Sequence, residues 1–216
     1  MRTLRNITLF AFCSLFTMGM AHAQLTGQGP VVKQELDLPA FRSIGLGASG
    51  TVYLYKGNTQ KVEVEGQQNI IDALRKDVRN RSWNIGFDQR VRNYRKLVIH
   101  ITLPTVEDLS IGGSGSIIAK DAFDAGDMKM SIGGSGAIEF AGTAGDVMIS
   151  IGGSGSVKAG DLKAANCRVS IGGSGSAFIE VADKLDVSIA GSGNVHYKGR
   201  PVINSSVAGS GKVINM

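Results

Sequence analysis

The chain has 216 residues, a formal net charge of +5, 6% aromatic residues, thirty glycines and two cysteines. Cys13 falls in an apolar N-terminal run, so the rest of the chain keeps one cysteine, Cys167, and an intramolecular disulfide is excluded. With that run and its Arg2 and Arg5 set aside, 21 basic residues face 18 acidic ones. A surplus of three is too mild for a nucleic-acid binder.

Residues 1–23 read as a secretory signal. Arg2 and Arg5 precede an apolar stretch from Ile7 to Met20, and Ala21-His22-Ala23 is a small-x-small cleavage site before Gln24. The stretch is short of the ~20 residues that span a membrane. Gln24 stands where a lipoprotein would carry its cysteine. The expectation is a free bacterial protein, exported to the periplasm or the cell exterior, with no transmembrane anchor.

Residues 24–103 read as a β-rich cap with one short helix. Strands are expected at 31–38, 51–55 and 61–65, with 43–52 as an expanded corner that opens a degenerate first coil. Asn69 is placed to cap a helix from Ile70 to about Val78, with Ile70, Ile71, Leu74 and Val78 on one face. Strands at 82–87 and 96–103 then flank a basic loop, 88–95. Residues 75–96 hold eight Arg or Lys against two Asp. Arg90, Arg92, Arg95 and Lys96, with Trp83 and Tyr94 among them, form a candidate site for a glycan or an anionic surface polymer, because a cation beside an aromatic ring suits such ligands.

Residues 104–216 repeat. SIGGSG occurs at 110–115, 131–136, 150–155 and 170–175, followed by SIAGSG at 188–193 and SVAGSG at 206–211. Successive copies are 21, 19, 20, 18 and 18 residues apart, a solenoid period. A flexible linker would lack the alternation around each copy. Before the corners, Met128, Met130 and Ile132, then Val147, Ile149 and Ile151, then Cys167, Val169 and Ile171, alternate with polar residues. After them, Ile117, Ile138, Val157, Ala177, Val195 and Val213 keep the same phase. Each coil should therefore be a strand, a Gly-Ser corner, a second strand and a second loop, the last exemplified by 141–145 and 198–201. Gly serves a corner where a side chain would crowd the coil stacked ~4.8 Å away. The central serines, Ser114 to Ser210, should form an outward column with hydroxyls bonding along the stack. The fold expected is all-β: a right-handed parallel β-helix of ~19-residue coils, the cap and coils together making one structural domain. An antiparallel sandwich is the alternative, disfavoured because its alternating hairpins need not look alike.

Motifs for chemistry fail on inspection. SVAGSGKV at 206–213 has Ser206 and Val213 where a phosphate-binding loop needs Gly and Ser or Thr. Calcium-binding nonapeptides need Asp where Ser116, Ala137, Ser156 and Ser176 stand. His100 and His196 are expected on polar strand faces, without a nucleophile, and Cys167 on the buried one. No catalytic, metal or cofactor residue is assigned. One polar column, Asp127, Asp146 and Asn166, is a candidate cation or sugar site, since stacked carboxylates repel unless a cation, Lys129 or Arg168 intervenes.

Phe41-Arg-Ser-Ile-Gly, the strand Ile99-His-Ile-Thr-Leu-Pro104 and the SIGGSG coils resemble the bacterial GIN-domain family, also called the putative auto-transporter adhesin head domain, over roughly residues 40–213. The resemblance implies an exported β-helical protein with an adhesin role. Nothing after the last corner reads as a translocator barrel, so self-transport is not expected. The function expected is a non-enzymatic envelope or surface protein presenting a rigid ladder for binding. The alternative is a carbohydrate-active enzyme on the Asp127–Arg168 face, which requires a groove there rather than a flat surface. Self-association through the last coil, Asn204 to Met216, is a further expectation.

Overall fold

A computed structural model describes residues 24–216; the expected signal segment lies outside the described residues. The fold is a parallel β-solenoid with one five-residue helix. Its central coils superpose in register: Ile132 pairs with Ile151, and Ile151 with Ile171, as parallel strand partners. The alternating residues before each corner turn inward. Met130, Ile149 and Val169 are fully buried, and Lys129, Met148 and Arg168 face out. The strands after the corners do the same, with Ile117, Ile138, Val157 and Ala177 fully buried.

The central coils carry a third ladder where the sequence suggested a loop. Ala141, Gly142, Thr143 and Ala144 pair with Asp161, Leu162, Lys163 and Ala164. Phe123 and Asp124 pair with Gly142 and Thr143 on the other side. Phe123, Leu162 and Val181 are fully buried on this ladder, so it closes the interior on a third side. Phe123 stacks on Phe140 at 5.5 Å between ring centroids.

The corners explain the repeat. Ser135, Ser154 and Ser174 each donate a backbone N–H to a glycine carbonyl of the previous coil, at 3.1 Å. The serine side chains are exposed, and the ladder is made by main chain rather than by their hydroxyls. The three glycines of a corner are not equivalent. A methyl on Gly153 would lie 2.5 Å from the Gly134 carbonyl oxygen, and one on Gly155 would lie 2.5 Å from the Ile132 side chain. A methyl on Gly152 would meet nothing closer than 3.8 Å. The first glycine is accordingly the one that becomes Ala190 and Ala208 in the relaxed copies.

The coils do not stack in sequence order. Ser43–Leu46 pairs parallel with Asp108–Ile111 on one side and with Ser82–Ile85 on the other. Thr51–Lys56 likewise lies between Ser116–Ala119 and Leu97–Leu103. The coil 43–56 is thus second from the end, and its corner, Gly47-Ala-Ser-Gly50, has ordinary length. The expanded corner belongs instead to the outermost coil, where residues 86–96 replace the Gly-Ser turn. Ala48 stands at the position of Gly113 and Gly134, and the coil beyond it carries the 86–96 segment in place of a Gly-Ser turn.

The end is closed by antiparallel strands. Lys61–Gln67 pairs antiparallel with Leu97–Leu103, and Val31–Glu35 with Lys61–Gln67. This covers the parallel edge, which would otherwise present unpaired main-chain groups. The helix runs only from Gln68 to Asp72, and Gln67 rather than Asn69 precedes it. Asn69 ties the N-terminal segment down: its Oδ1 accepts the Gln28 N–H at 3.0 Å and its amide donates to the Thr26 carbonyl at 2.8 Å. Val78, expected on the helix, is drawn into a two-residue hairpin with Trp83. Asn80 and Arg81 form its turn with φ of 50° and 58°, the left-handed pair such a hairpin requires.

Glu65 lies in this cap with its side chain only 13% exposed, accepting bonds from Lys96 and from Lys33 at 2.9 Å. Those ammonium groups, Lys96 foremost, hold its carboxyl down to about 2. A lowered native value means the stabilisation is complete above the unfolded carboxyl range, near 4.3, and is lost as pH falls towards 2. Thermal melting followed from pH 7 to pH 2.5 should therefore show a decline that Glu65→Gln flattens. An unchanged slope in the variant would show that the pair does not contribute. In a separate test, Gly153→Ala should cost about 1–3 kcal/mol by overpacking, whereas Gly152→Ala should be neutral or slightly stabilising. Denaturant unfolding of the two variants checks this; equal costs would contradict the stacking geometry.

Candidate functional site

Two outward columns run along the strands that precede the corners. One carries Asp108, Lys129, Met148, Arg168 and Asp186, which are lateral partners in successive coils. The other, two residues earlier, carries Asp146, Asn166 and Lys184 in register, with Asp127 before them. Residues two apart on a strand share a face, so the columns form parallel ridges. Between them Met128, Val147 and Cys167 turn inward and floor a trough of about 1080 Å³. Arg42, Glu107 and Lys184 close its ends.

The trough is where Asp127, Asp146 and Asn166 lie, and the structure brings all three together. Hydrogen bonds within the column temper their repulsion. Asp127 accepts the Asp146 N–H at 3.3 Å, and the Asn166 amide donates to Asp146 at 2.8 Å. Among the described residues no cluster of three or more His, Cys, Asp or Glu is arranged to hold a metal ion. Both ends of the trough are paired internally. Arg42 bonds Glu107 at 2.9 Å, and Asp186 is shared by Lys184 at 2.9 Å, Arg168 at 3.8 Å and the Asn204 amide at 3.0 Å.

The levels just inside the Arg42 end are different. Asp108 Oδ1 is shielded from solvent and has no hydrogen-bond partner. Burial holds the Asp108 carboxyl above its ordinary range, against the pull of Lys129. Lys129 makes no ion pair among the described residues, and the neighbouring Met148 is 42% exposed. Asp108 was not singled out from sequence. The signal available was its register with Lys129, but the residue two before it is Val106, where the next three coils carry Asp127, Asp146 and Asn166. Cys167, as expected, is buried in the floor, and its thiol is pushed up to about 12 by desolvation.

The basic cluster is only partly a surface. Trp83 is fully buried: it pairs in register with Ile44, its indole N–H donates to the Arg75 carbonyl at 2.9 Å, and its ring meets Phe41 at 5.6 Å. It is a core residue and is withdrawn as a ligand contact, because its inward strand phase outweighs its basic neighbours. Lys96 is engaged by Glu65, and the Tyr94 hydroxyl donates to the Ser49 carbonyl. Arg92 and Arg95 remain, around a hollow of about 580 Å³ with Tyr94 and Asn93. Arg90 anchors the N-terminal strand through its carbonyl, which accepts the Leu25 N–H at 2.9 Å. A residue missed from sequence supports this corner. Gln67, 1% exposed, accepts the Arg95 N–H at 2.9 Å and donates to the Gly29 carbonyl at 3.4 Å.

The two histidines face outward on the strands after the corners. His196 stacks on Phe178 at 4.6 Å, and His100 lies against Tyr53 at 5.5 Å and Tyr55 at 6.0 Å, with its Nε2 3.4 Å from Glu65. His100 Nδ1 also lies 3.4 Å from the Tyr55 hydroxyl. No helix of the described residues is long and apolar enough to cross a membrane.

The chain is similar in structure to a putative adhesin of Bacteroides fragilis, with TM-score 0.73 and 22% identity, over 89% of this chain and all of that one. A putative adhesin of Parabacteroides merdae matches with TM-score 0.54 and 22% identity, over 89% of this chain and 99% of its own. A protein of Parabacteroides distasonis described as a putative lipid binding protein matches with TM-score 0.55 and 22% identity, over 90% of this chain and all of that one. At such identity these likenesses speak to the fold alone. No curated protein matches the chain. The model of one family, described as "Putative auto-transporter adhesin, head GIN domain", matches residues 40–201. The chain belongs to that GIN-domain family, as its corner motif and its Phe41 and Ile99–Pro104 segments implied.

Proposed function

We propose that the protein is an exported, non-enzymatic scaffold of the bacterial envelope or surface that attaches to a polymer through the outer face of its solenoid. The observation that carries this reading is the trough. The interior is filled by side chains, so ligands are met on the outside, and a concavity of about 1080 Å³ runs open along the ladder. The adhesin label of the family agrees with it. A scaffold held rigid by main-chain ladders loses little freedom on binding, which favours attachment to extended partners. A lipid-binding role, as in the name of one structural relative, fits less well, because the trough carries charges along both ridges.

Carbohydrate-active chemistry is the second reading, and one observation favours it. Asp127, Asp146 and Arg168 share a groove rather than a flat face, beside a carboxyl, Asp108, held above its ordinary range as a general acid would be. The two readings separate cleanly. On the scaffold reading, polysaccharides incubated with the protein keep their length, and reducing ends do not accumulate. Chain shortening that Asp108→Asn abolishes would establish the enzyme instead.

The scaffold reading is tested on cells. A deletion strain should lose several-fold in attachment to immobilised glycans or matrix, regain it on complementation, and lose surface labelling by an antibody to the solenoid. Wild-type attachment by the deletion strain, together with no binding of the purified protein to any such surface, would contradict it.

A further inference from the structure

The strongest feature outside the fold's own needs is the unspent polarity of Asp108 and Lys129 inside the Arg42 end of the trough. We infer that this trough binds a neutral, hydroxyl-rich glycan laid along the solenoid axis, with Asp108, Lys129, Asp127 and Met148 as its main contacts. This rests on the scaffold reading and deepens it by naming the ligand class.

The charges select the ligand. The trough is lined by four cations and five carboxylates, so it is close to neutral, and both ridges carry charges of both signs. A polyanion would meet carboxylates in nearly every coil, and a polycation would meet Lys129 and Arg168. A neutral polyol meets neither penalty, and its hydroxyls can donate to one coil and accept from the next.

Towards the Arg42 end the trough offers what such a ligand can use. Asp108 lines it; its Oδ1 is buried without a partner, which leaves the other carboxyl oxygen as the one a ligand reaches. A sugar hydroxyl can donate to that open oxygen and accept from Lys129, the lateral partner of Asp108 in the next coil. Met148 follows in the same column, exposed and flexible, and offers the apolar C–H face of a sugar ring a surface to pack on. The paired charges at both ends leave no such vacancies, so they bound the site rather than fill it.

The geometry sets the length. From the coil of Ser43 to that of Asp186 are five lateral steps. At ~4.8 Å each the run is about 24 Å, a span for several sugar units rather than one. Binding should therefore strengthen with chain length and be weak for monosaccharides.

The basic corner is a separate surface and provides the control. Arg92 and Arg95 lie around a different hollow, and a ligand drawn there would be acidic.

The test is affinity electrophoresis of the mature protein in gels containing dextran or glucomannan as neutral probes, polygalacturonate as an acidic one and chitosan as a cationic one. The expected result is retardation by a neutral polymer, altered less than two-fold between low and 0.5 M salt because no ion pairs are formed. Met148→Asp, a surface change that leaves the core intact, should weaken it at least ten-fold, while the double variant Arg92→Ser, Arg95→Ser leaves it unchanged. Circular dichroism and melting temperature confirm that both variants fold. Retention that survives Met148→Asp, or that appears only with polygalacturonate or chitosan, overturns the inference and leaves surface attachment standing. Retention by no polysaccharide, with attachment still lost in the deletion strain, does the same. Retention by none and attachment unaffected would remove both.

Discussion

Vertical superposition of the corners is the constraint on which the molecule rests. Where one turn lies directly over another, the main chain of each must approach that of its neighbour, and a side chain in the gap pushes the coils apart. At Gly153 and Gly155 the space for a methyl is already taken by the neighbouring coil, at 2.5 Å in both cases. Gly173, Gly191 and Gly209 also hold positive φ, from 132° to 147°, a region open to glycine and costly to other residues. The repeated motif is therefore a packing requirement written at each level of the stack. It loosens at the first glycine, where there is room.

Once the corners are fixed, the rest follows from strand phase. Inward residues become columns of buried Ile, Val, Leu and Met, and each coil buries its apolar faces against neighbours rather than against a separate layer. The outward residues become columns too, which is how functional chemistry arises here. A side chain on one coil acquires lateral neighbours from two others, so the trough is a property of the register. It is assembled from residues separated by nearly 20 positions in sequence, none of which is a motif on its own.

Much of this was legible in the amino-acid sequence and some was not, for physical reasons. The inward phase around Ile132, Ile151 and Ile171 was readable because alternation and a fixed corner leave one register open. The third ladder was hidden: Ala141 to Gly145 resembles loop composition, and its pairing with 161–164 depends on Phe123 and Leu162 closing the interior from another coil. Stack order was hidden as well, since coil 43–56 is separated from 108–119 by a whole intervening coil and the antiparallel closure. Apolar spacing over Ile70 to Val78 imitates a helix, but Asn80 and Arg81 impose a hairpin that claims Val78. Trp83 looked like a binding residue by its neighbours and is a core residue by its phase. The acidic column was found from its spacing. Asp108, in the neighbouring column and with an unmet hydrogen bond, was not, because burial of a single oxygen depends on the coils on either side.

The central claim, that coils are interchangeable levels held by main-chain stacking at glycine corners, is tested most directly by removing one level. Deleting residues 153–172 joins Gly152 to Gly173, preserves the corner, and shortens the chain by one register step of the Ile151 to Ile171 pairing. A deletion of 153–162 breaks that phase. Cooperative melting measured by circular dichroism should persist in the full-coil deletion, with some loss of stability, and vanish in the half-coil one. Unfolding of the full-coil variant, or equal tolerance of both, would contradict the account.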